Sequence, residues 1–404
     1  MCTICLLVED VGNVRSELDM FKLRRTDQIL GSNKRFVPRP TTVLSVLLFS
    51  GTIVVLFLFI NSTFFVRSSS FESVERKVTR KKSQKSSSLR DTVAVNSSTS
   101  LILIDLQVLS CLGCRFPSRP VEFISFSPPG NASRNEVIYR AYDDSAKDFF
   151  TVEYGTETRA LEKFKVVPFE VDGREFLVPD DIDRFQWSWR RSKFVDCLGL
   201  DMGRSVEEDF QPVASGIARF RSLAASYGVT LTLNGGSLLG WYRECSIIPH
   251  TTDMDFSINS EEHSPNFIRA VENSSDFQLY HVYSEPSGCF QFKACFGRTK
   301  LDVFYLYRNT TTAWICGSVD AFRVLWSYPP ATDFCVGELL GTLVYVPCNV
   351  EEHLEVSYGK GWRKEVHSKD FGWASSGANI LRKDSNGDKY TWTARYVDRC
   401  DGYV

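Results

Sequence analysis

The pattern of hydrophobic and polar positions divides the chain into one long apolar run, a polar stretch and two regions with the periodicity of folded domains. The apolar run, residues 43–60, contains no charged residue, and a helix of this length can span a bilayer. It is too long and too far from the N-terminus for a typical cleaved signal peptide, so it predicts an uncleaved signal-anchor, with a buried core helix as the alternative. Residues 61–100 are then a predicted flexible stem, since most of them are polar and rich in Ser, Lys and Arg.

Residues 101–200 consist of short β-rich runs broken by Pro, Gly and charged clusters, which predicts a small N-terminal α+β domain. An acidic start followed by aromatic periodicity over residues 180–189 predicts a helix near its end. The region shows no catalytic constellation.

A second domain is predicted over residues 201–404, and it opens with a helix. Apolar residues recur at three- and four-residue spacing from Val206 to Tyr227, Ser205 and Glu208 match a capping box, and Gly228 is a stop signal. Pro212 predicts either a kink or the true first turn of this helix.

A small glycine-rich segment follows this helix. An alternating strand over residues 229–233 leads into Gly235, Gly236 and Ser237, and a short helix is predicted over 238–243. Such a loop before a helix N-terminus favours an anion, because backbone N–H groups and the helix dipole point towards it. Taken alone, the tripeptide is more often an ordinary turn.

Three carboxylates complete the candidate chemistry. In the alternating stretch 252–258, Asp253 and Asp255 share one face while Met254 and Phe256 face the core. Asp302 lies in a later strand with apolar neighbours on its opposite face. Carboxylates this close favour a hard cation such as Mg²⁺ or Mn²⁺, so the ordered set predicts metal-assisted nucleotide transfer rather than three unrelated surface residues.

Two further residues are weaker candidates. Arg243 lies six residues beyond Ser237 and is positioned to clamp a phosphate, or else serves as a helix C-terminal charge. His250 precedes the D-x-D by three residues and is either a donor or acceptor contact or a turn residue.

Charge and cysteine distribution bear on partners and compartment. The formal net charge of −2 gives no case for nucleic-acid binding. Two cysteines precede the apolar run, and ten follow it. The sequons at Asn96, Asn131, Asn273 and Asn309 also follow it. This distribution favours a type II protein with a cytosolic tail (1–42) and a glycosylated luminal part. Cys111 and Cys114 form a C-x-x-C, for which structural disulfides are favoured over metal or redox chemistry.

Several motifs in order resemble the LicD/fukutin family, and most closely its fukutin branch. They are residues 236–243 (GSLLGWYR), 247–249 (IIP), 253–255 (DMD), 301–304 (LDVF), 346–348 (VPC) and 358–362 (YGKGW). The resemblance runs from about residue 205 to the C-terminus. It implies a nucleotidyltransferase-like fold in which a mixed sheet carries the metal-binding carboxylates Asp253, Asp255 and Asp302 on adjacent strands. It also implies that the donor substrate is contacted by Gly235, Gly236, Ser237 and Arg243.

The resemblance also implies a function. Members of the fukutin branch transfer ribitol 5-phosphate from CDP-ribitol to an O-mannosyl glycan of a dystroglycan-like glycoprotein at the Golgi membrane, alongside other Golgi transferases. Phosphocholine or glycerol-phosphate transfer, a D-x-D glycosyltransferase and a non-catalytic scaffold for other transferases are the alternatives. Ser237 replaces a Thr that often follows the glycine, and residues 250–252 (HTT) also depart from the pattern; neither departure identifies the transferred group.

Overall fold

A computed structural model describes residues 101–111, 115–127, 132–171, 173–203, 209–283, 289–319, 322–330, 333–372, 375–384, 393–394 and 400. The predicted cytosolic tail, signal-anchor and stem lie outside these residues. Within the part of the chain that is described, no helix is both long and apolar enough to cross a membrane.

The N-terminal part of the described chain is built on a mixed sheet with the strand order β5-β4-β3-β2-β1-β7-β6. Its core is formed by apolar side chains from alternate strand positions, such as Phe123 and Val152, together with Phe185 and Trp189 from a helix. Its elements in chain order are β1 (Ile102–Leu103), α1 (Leu106–Leu109), β2 (Val121–Ser125), β3 (Glu136–Asp143), β4 (Phe149–Tyr154), β5 (Glu157–Glu162), β6 (Val166–Val171), β7 (Arg174–Pro179) and α2 (Ile182–Trp189).

The C-terminal part is built on a larger mixed sheet whose main path is β15-β16-β8-β9-β12-β11-β10-β18, with β13, β14 and β17 branching from β12. Its elements are α3 (Gln211–Ala225), β8 (Thr232–Leu233), α4 (Gly235–Glu244), β9 (Asp253–Asn259), α5 (Pro265–Glu272), β10 (Gln278–Tyr283), β11 (Gln291–Phe296), β12 (Thr299–Arg308), β13 (Ala313–Val319), β14 (Phe322–Tyr328), β15 (Phe334–Leu339), β16 (Thr342–Pro347), α6 (Val350–Tyr358), β17 (Ile380–Asp384) and β18 (Thr393–Ala394).

The two parts pack against each other within one compact unit. The buried guanidinium of Arg221 on α3 forms ion pairs with Asp148, which precedes β4, and with Glu162 of β5. Phe149 shares a small apolar cluster with Tyr345 of β16. The α+β fold class is therefore confirmed for the described residues, while the domain boundary at residue 200 stays a prediction.

The helix predictions are confirmed with corrected ends. The predicted helix near residue 185 is α2, and the side chain of Asp181 caps it by accepting from the N–H of Arg184. The next helix, α3, begins at Gln211, so Pro212 occupies its first turn, where the missing N–H costs nothing. The kink alternative is wrong, and the proposed capping box at 205–208 lies outside the described residues.

Disulfides cross-link the chain between residues 197 and 400. The described bridges are Cys197–Cys245, Cys289–Cys316, Cys295–Cys400 and Cys335–Cys348. Cys111 is also disulfide-bonded, as the sequence favoured, whereas Cys114 lies outside the described residues. The sequon residues Asn273 and Asn309 are exposed and the other two sequons lie outside the described residues; glycosylation stays a prediction.

Candidate active site

The glycine segment forms the first turn of helix α4. Asn234 is extended, and Gly235 then turns the chain into the helix with a φ of 51°, a left-handed value that glycine adopts without strain. The helix predicted over 238–243 is therefore confirmed with an earlier start, whereas the prediction of a loop at residues 235–237 is wrong. It failed because glycine has poor helix propensity, so two successive glycines indicate a loop when only the sequence is considered.

Gly235 also lies directly against the D-x-D strand. A Cβ atom at this position would lie 2.6 Å from Oδ2 of Asp255, closer than real Cβ contacts allow. The N–H of the following Gly236 points at the same oxygen over 3.3 Å. The absence of a side chain at Gly235 therefore lets the N-terminus of α4 approach a carboxylate of the site.

Ser237 fixes the strand to this helix. Its hydroxyl oxygen accepts a hydrogen bond from the backbone N–H of Asp255 at 2.8 Å, and the hydroxyl contacts the Met254 sulfur at 3.7 Å. The side chain is buried. Its position explains why a hydroxyl follows the glycines, and contact between Ser237 and a donor stays a prediction.

His353 contacts Asn234, the residue that precedes α4. Its Nε2 lies 3.3 Å from Oδ1 of Asn234, and its ring stacks on that of Tyr328 at 4.3 Å. Burial lowers the pKa of His353 to about 3, so the imidazole is neutral at physiological pH. The residue before Gly235 is thus held by a neutral, buried network.

The three predicted carboxylates come together. Strands β9 and β12 are parallel neighbours, and Asp255 lies directly opposite Asp302 in their register. Carboxylate oxygens of Asp253, Asp255 and Asp302 all lie within 4.8 Å of one another. The expectation that adjacent strands of a mixed sheet carry the acidic residues is confirmed, and we call this cluster the acidic triad.

The electrostatics of the triad fit a divalent cation. Burial, reinforced by the charges of Asp253 and Asp302, raises the pKa of Asp255 well above its ordinary value. Burial also raises the pKa of Asp302, although the ion pair with Lys293 opposes that shift. Oδ1 of Asp302 is buried and has no hydrogen-bond partner among the described residues. An oxygen-ligated cation such as Mg²⁺ or Mn²⁺ would satisfy this oxygen and offset the repulsion.

Two residues that sequence reasoning missed extend the triad across the sheet. Lys293 on β11 pairs in register with Asp302, and His281 on β10 pairs with Lys293. Directly opposed residues share a face of the sheet, so the row Asp255, Asp302, Lys293 and His281 crosses four strands. The alternation of polar and apolar residues over 291–295 indicates that Lys293 and Gln291 lie on the same face of their strand. Only the strand register shows that the carboxylate partner of Lys293 is Asp302.

Two cavities meet at the triad, with volumes of about 200 and 380 Å³. Asp253, Asp255 and Phe371 line both. The first cavity also has an amide and aromatic lining that includes Gln291, Phe304, Trp326 and Asn379. The second is lined by hydroxyl and basic groups that include Arg243, His250, Thr252, Lys364 and Ser368, and by aromatic residues that include Tyr358 and Trp362. Reactants held in the two cavities would therefore meet at the carboxylates.

Arg243 has a structural role in addition to its predicted one. Its guanidinium is buried, forms an ion pair with Glu244, and donates to the backbone carbonyls of Trp362 and Lys364. It thereby fixes the segment that forms one wall of the second cavity. Contact between Arg243 and a phosphate stays a prediction, as does a donor or acceptor contact for His250.

His250 is held at the edge of the second cavity. Its Nδ1 lies 2.7 Å from the hydroxyl of Ser368, its Nε2 lies 3.1 Å from Glu365, and its ring stacks on His367. The turn interpretation and the binding interpretation of this residue are thus compatible, because the same side chain ties residues 365–368 to the chain before β9.

Part of the chain that includes the acidic triad matches a known family. Residues 228–349, a range that contains all three triad residues, match the family model described as LicD/FKTN/FKRP, nucleotidyltransferase domain. The uncharacterised protein W02B3.4 of Caenorhabditis elegans is 32% identical over 315 residues, covering 72% of this chain and 79% of that protein.

Two named relatives match a smaller part of the chain. Ribitol-5-phosphate transferase FKTN is 28% identical in Mus musculus and 27% identical in Homo sapiens, in each case over 248 residues that cover 57% of this chain. The match spans only 52% of the length of each.

Proposed function

The chain belongs to the LicD family of transferases, and we propose that it moves a phosphorylated alcohol from a cytidine diphosphate donor to a hydroxyl of a glycan. We propose ribitol 5-phosphate as the group and CDP-ribitol as the donor, supported by the relatives named ribitol-5-phosphate transferase. The observation that carries the proposal is the acidic triad, held in register on two parallel strands beside the N-terminus of α4.

In the proposed reaction, the acceptor oxygen forms a bond to the β-phosphorus of the donor. The bond from that phosphorus to the oxygen bridging the two phosphates breaks, and CMP leaves with the electron pair. The acceptor proton passes to a triad carboxylate or to water. A divalent cation held by Asp253, Asp255 and Asp302 would supply charge stabilisation for the leaving phosphate. The first-turn N–H groups of α4 add a positive dipole end near the same place.

The cellular setting is also part of the proposal. We place the protein in the Golgi membrane as a type II protein, with the triad in the lumen and other Golgi transferases as partners. The acceptor we propose is an O-mannosyl glycan of a dystroglycan-like glycoprotein. The bonded cysteines support an oxidising compartment, since such bridges persist there.

The test is CMP release by the purified full-length chain with CDP-ribitol, CDP-glycerol or CDP-choline, a phosphorylated O-mannosyl glycan acceptor, and Mg²⁺ or EDTA. We expect metal-dependent release from CDP-ribitol, and none from Asp255→Asn. Release from another donor instead would replace ribitol phosphate with glycerol phosphate or phosphocholine. No release from any donor, with folded protein and an acceptor verified on an active transferase, would favour the scaffold alternative.

A further inference from the structure

The first cavity contains a buried amide that the proposed chemistry at the triad does not use. Gln291 on β11 is only 4% exposed, yet its side chain lines the cavity. It stands two residues before Lys293 and therefore on the same face of the sheet as the triad. A buried primary amide facing a cavity has donor and acceptor groups available to a ligand.

A second amide lies in the same cavity. Asn379 is 6% exposed, and its amide nitrogen is buried with no hydrogen-bond partner among the described residues. Its side chain lies beside the Tyr328 hydroxyl, which also contacts Asn234 and Ser357. An unpartnered amide nitrogen in a cavity is unusual, because buried polar groups are normally satisfied, and it offers a ligand a hydrogen-bond donor beside the Gln291 amide.

Aromatic side chains make this cavity narrow. A Cβ atom at Gly317 would lie 3.2 Å from Trp326, 3.3 Å from Phe304 and 3.2 Å from Oε1 of Gln291. These groups therefore converge on the backbone of one glycine. Aromatic walls with an amide beside them suit a flat heterocycle, which stacks on the rings and pairs through its edge.

The wall that carries Gly317 is fixed in place by covalent and backbone contacts. Cys316, its neighbour on β13, is bridged to Cys289, which precedes β11 by two residues. Gly317 also pairs in register with Val324 on β14, the strand that carries Trp326. The amide and the aromatic wall thus belong to one braced unit.

We propose that the first cavity is the subsite for the cytosine base of the donor, and that Gln291 is a specificity-determining residue that reads its edge. The assignment rests on the proposed function. Cytosine presents an amino donor beside a ring-nitrogen acceptor, and a primary amide presents the complementary acceptor and donor. Because Asp253 and Asp255 line both cavities, a base in the first cavity places its diphosphate at the triad.

The second cavity then receives the acceptor. Its hydroxyl and basic groups, among them Thr252, Lys364 and Ser368, can hydrogen-bond with a polar glycan, and the aromatic residues Tyr358 and Trp362 also line it. The attacking hydroxyl and the donor phosphate would approach the triad from different cavities. This arrangement predicts that substitutions in the two cavities affect different substrates.

The test measures the Kd of CMP and of UMP by calorimetry on the full-length protein with Mg²⁺. Gln291→Met keeps the length of the side chain but removes the amide, and we expect it to weaken CMP binding at least tenfold and to reduce the preference for CMP over UMP. The matched control is Gln278→Met on β10 of the same sheet, a residue that does not line the first or the second cavity. It should leave both Kd values within twofold of wild type.

A second pair of variants covers the aromatic wall. Trp326→Phe should weaken CMP binding, whereas Trp314→Phe, on the neighbouring strand and away from both cavities, should not. In the second cavity, Ser368→Ala should leave CMP binding unchanged and raise the KM for the acceptor. Thermal melting of each variant verifies that it is folded.

The outcomes separate the subsite from the function. If folded wild-type protein does not bind CMP, the proposed function fails, and the subsite fails with it. If wild type binds CMP but Gln291→Met and Trp326→Phe bind like their controls, the subsite assignment is overturned while the function stands. Loss of CMP binding in Ser368→Ala would reverse the roles of the two cavities.

Discussion

Substitution of Gly235 by alanine tests how closely α4 must approach the triad. Alanine at a φ of 51° costs about 1 to 2 kcal/mol of stability, because the left-handed region crowds a Cβ. The new Cβ would also lie 2.6 Å from Oδ2 of Asp255, and ordinary contact begins at 3.4 Å, so the carboxylate must move by about 0.8 Å. A misplacement of about 1 Å in a catalytic site lowers the rate roughly 10²-fold.

Gly297 provides a matched control for this substitution. It lies in the turn between β11 and β12 with a φ of 54°, and a Cβ there would have no heavy atom within 4 Å. Gly297→Ala therefore carries a similar backbone cost without displacing Asp255. Urea unfolding should show similar losses of stability in the two variants.

The assay is the initial rate of CMP release with CDP-ribitol, acceptor and saturating Mg²⁺. We expect Gly235→Ala to lose about 10²-fold in kcat, while Gly297→Ala stays within about twofold of wild type once the folded fractions are matched. Equal rates for the two variants would refute the argument that position 235 must be glycine because a side chain there would displace the carboxylate of Asp255.

Three further predictions concern charge and packing. The pKa of Asp255 in the folded protein lies above its ordinary value of 3.8, so the folded state binds this proton more tightly than the unfolded state does. The free energy of unfolding, measured in EDTA, should therefore fall as the pH rises from about 4 through the folded pKa. Urea titrations at several pH values should show a smaller fall for Asp255→Asn. Gly337→Ala should cost about 1 to 3 kcal/mol in urea unfolding, since its Cβ would lie 2.1 Å from the ring of buried Trp241. Replacing both Cys197 and Cys245 by alanine should lower unfolding stability by about 2 to 5 kcal/mol, measured by the same method.

The sequence predicted the acidic triad because its signals are local. The alternation around Asp253 and Asp255 fixes their common face, and apolar neighbours do the same for Asp302. Their closeness required only that the two strands be adjacent. The resemblance to a known family supplied that adjacency, and the register of β9 and β12 confirms it.

The cavities could not be predicted in the same way. Gln291, Gly317 and Trp326 lie on β11, β13 and β14, and none stands in a recognisable motif. The sequence does not supply the registers that bring these three residues to one cavity. The tryptophan of the GWYR motif, Trp241, is instead a core residue whose indole N–H donates to the carbonyl of Glu338. A motif thus identifies a position in the fold, whereas its role depends on contacts that only the structure supplies.

The most direct test of the central claim is the mass of the acceptor glycan after incubation with CDP-ribitol and Mg²⁺. Wild-type protein should add the mass of one ribitol phosphate per acceptor site, and EDTA or Asp302→Asn should abolish the addition while the variant still melts cooperatively. An unchanged acceptor mass with folded wild-type protein, or full transfer by folded Asp302→Asn in EDTA, would contradict a metal-dependent transferase centred on the acidic triad.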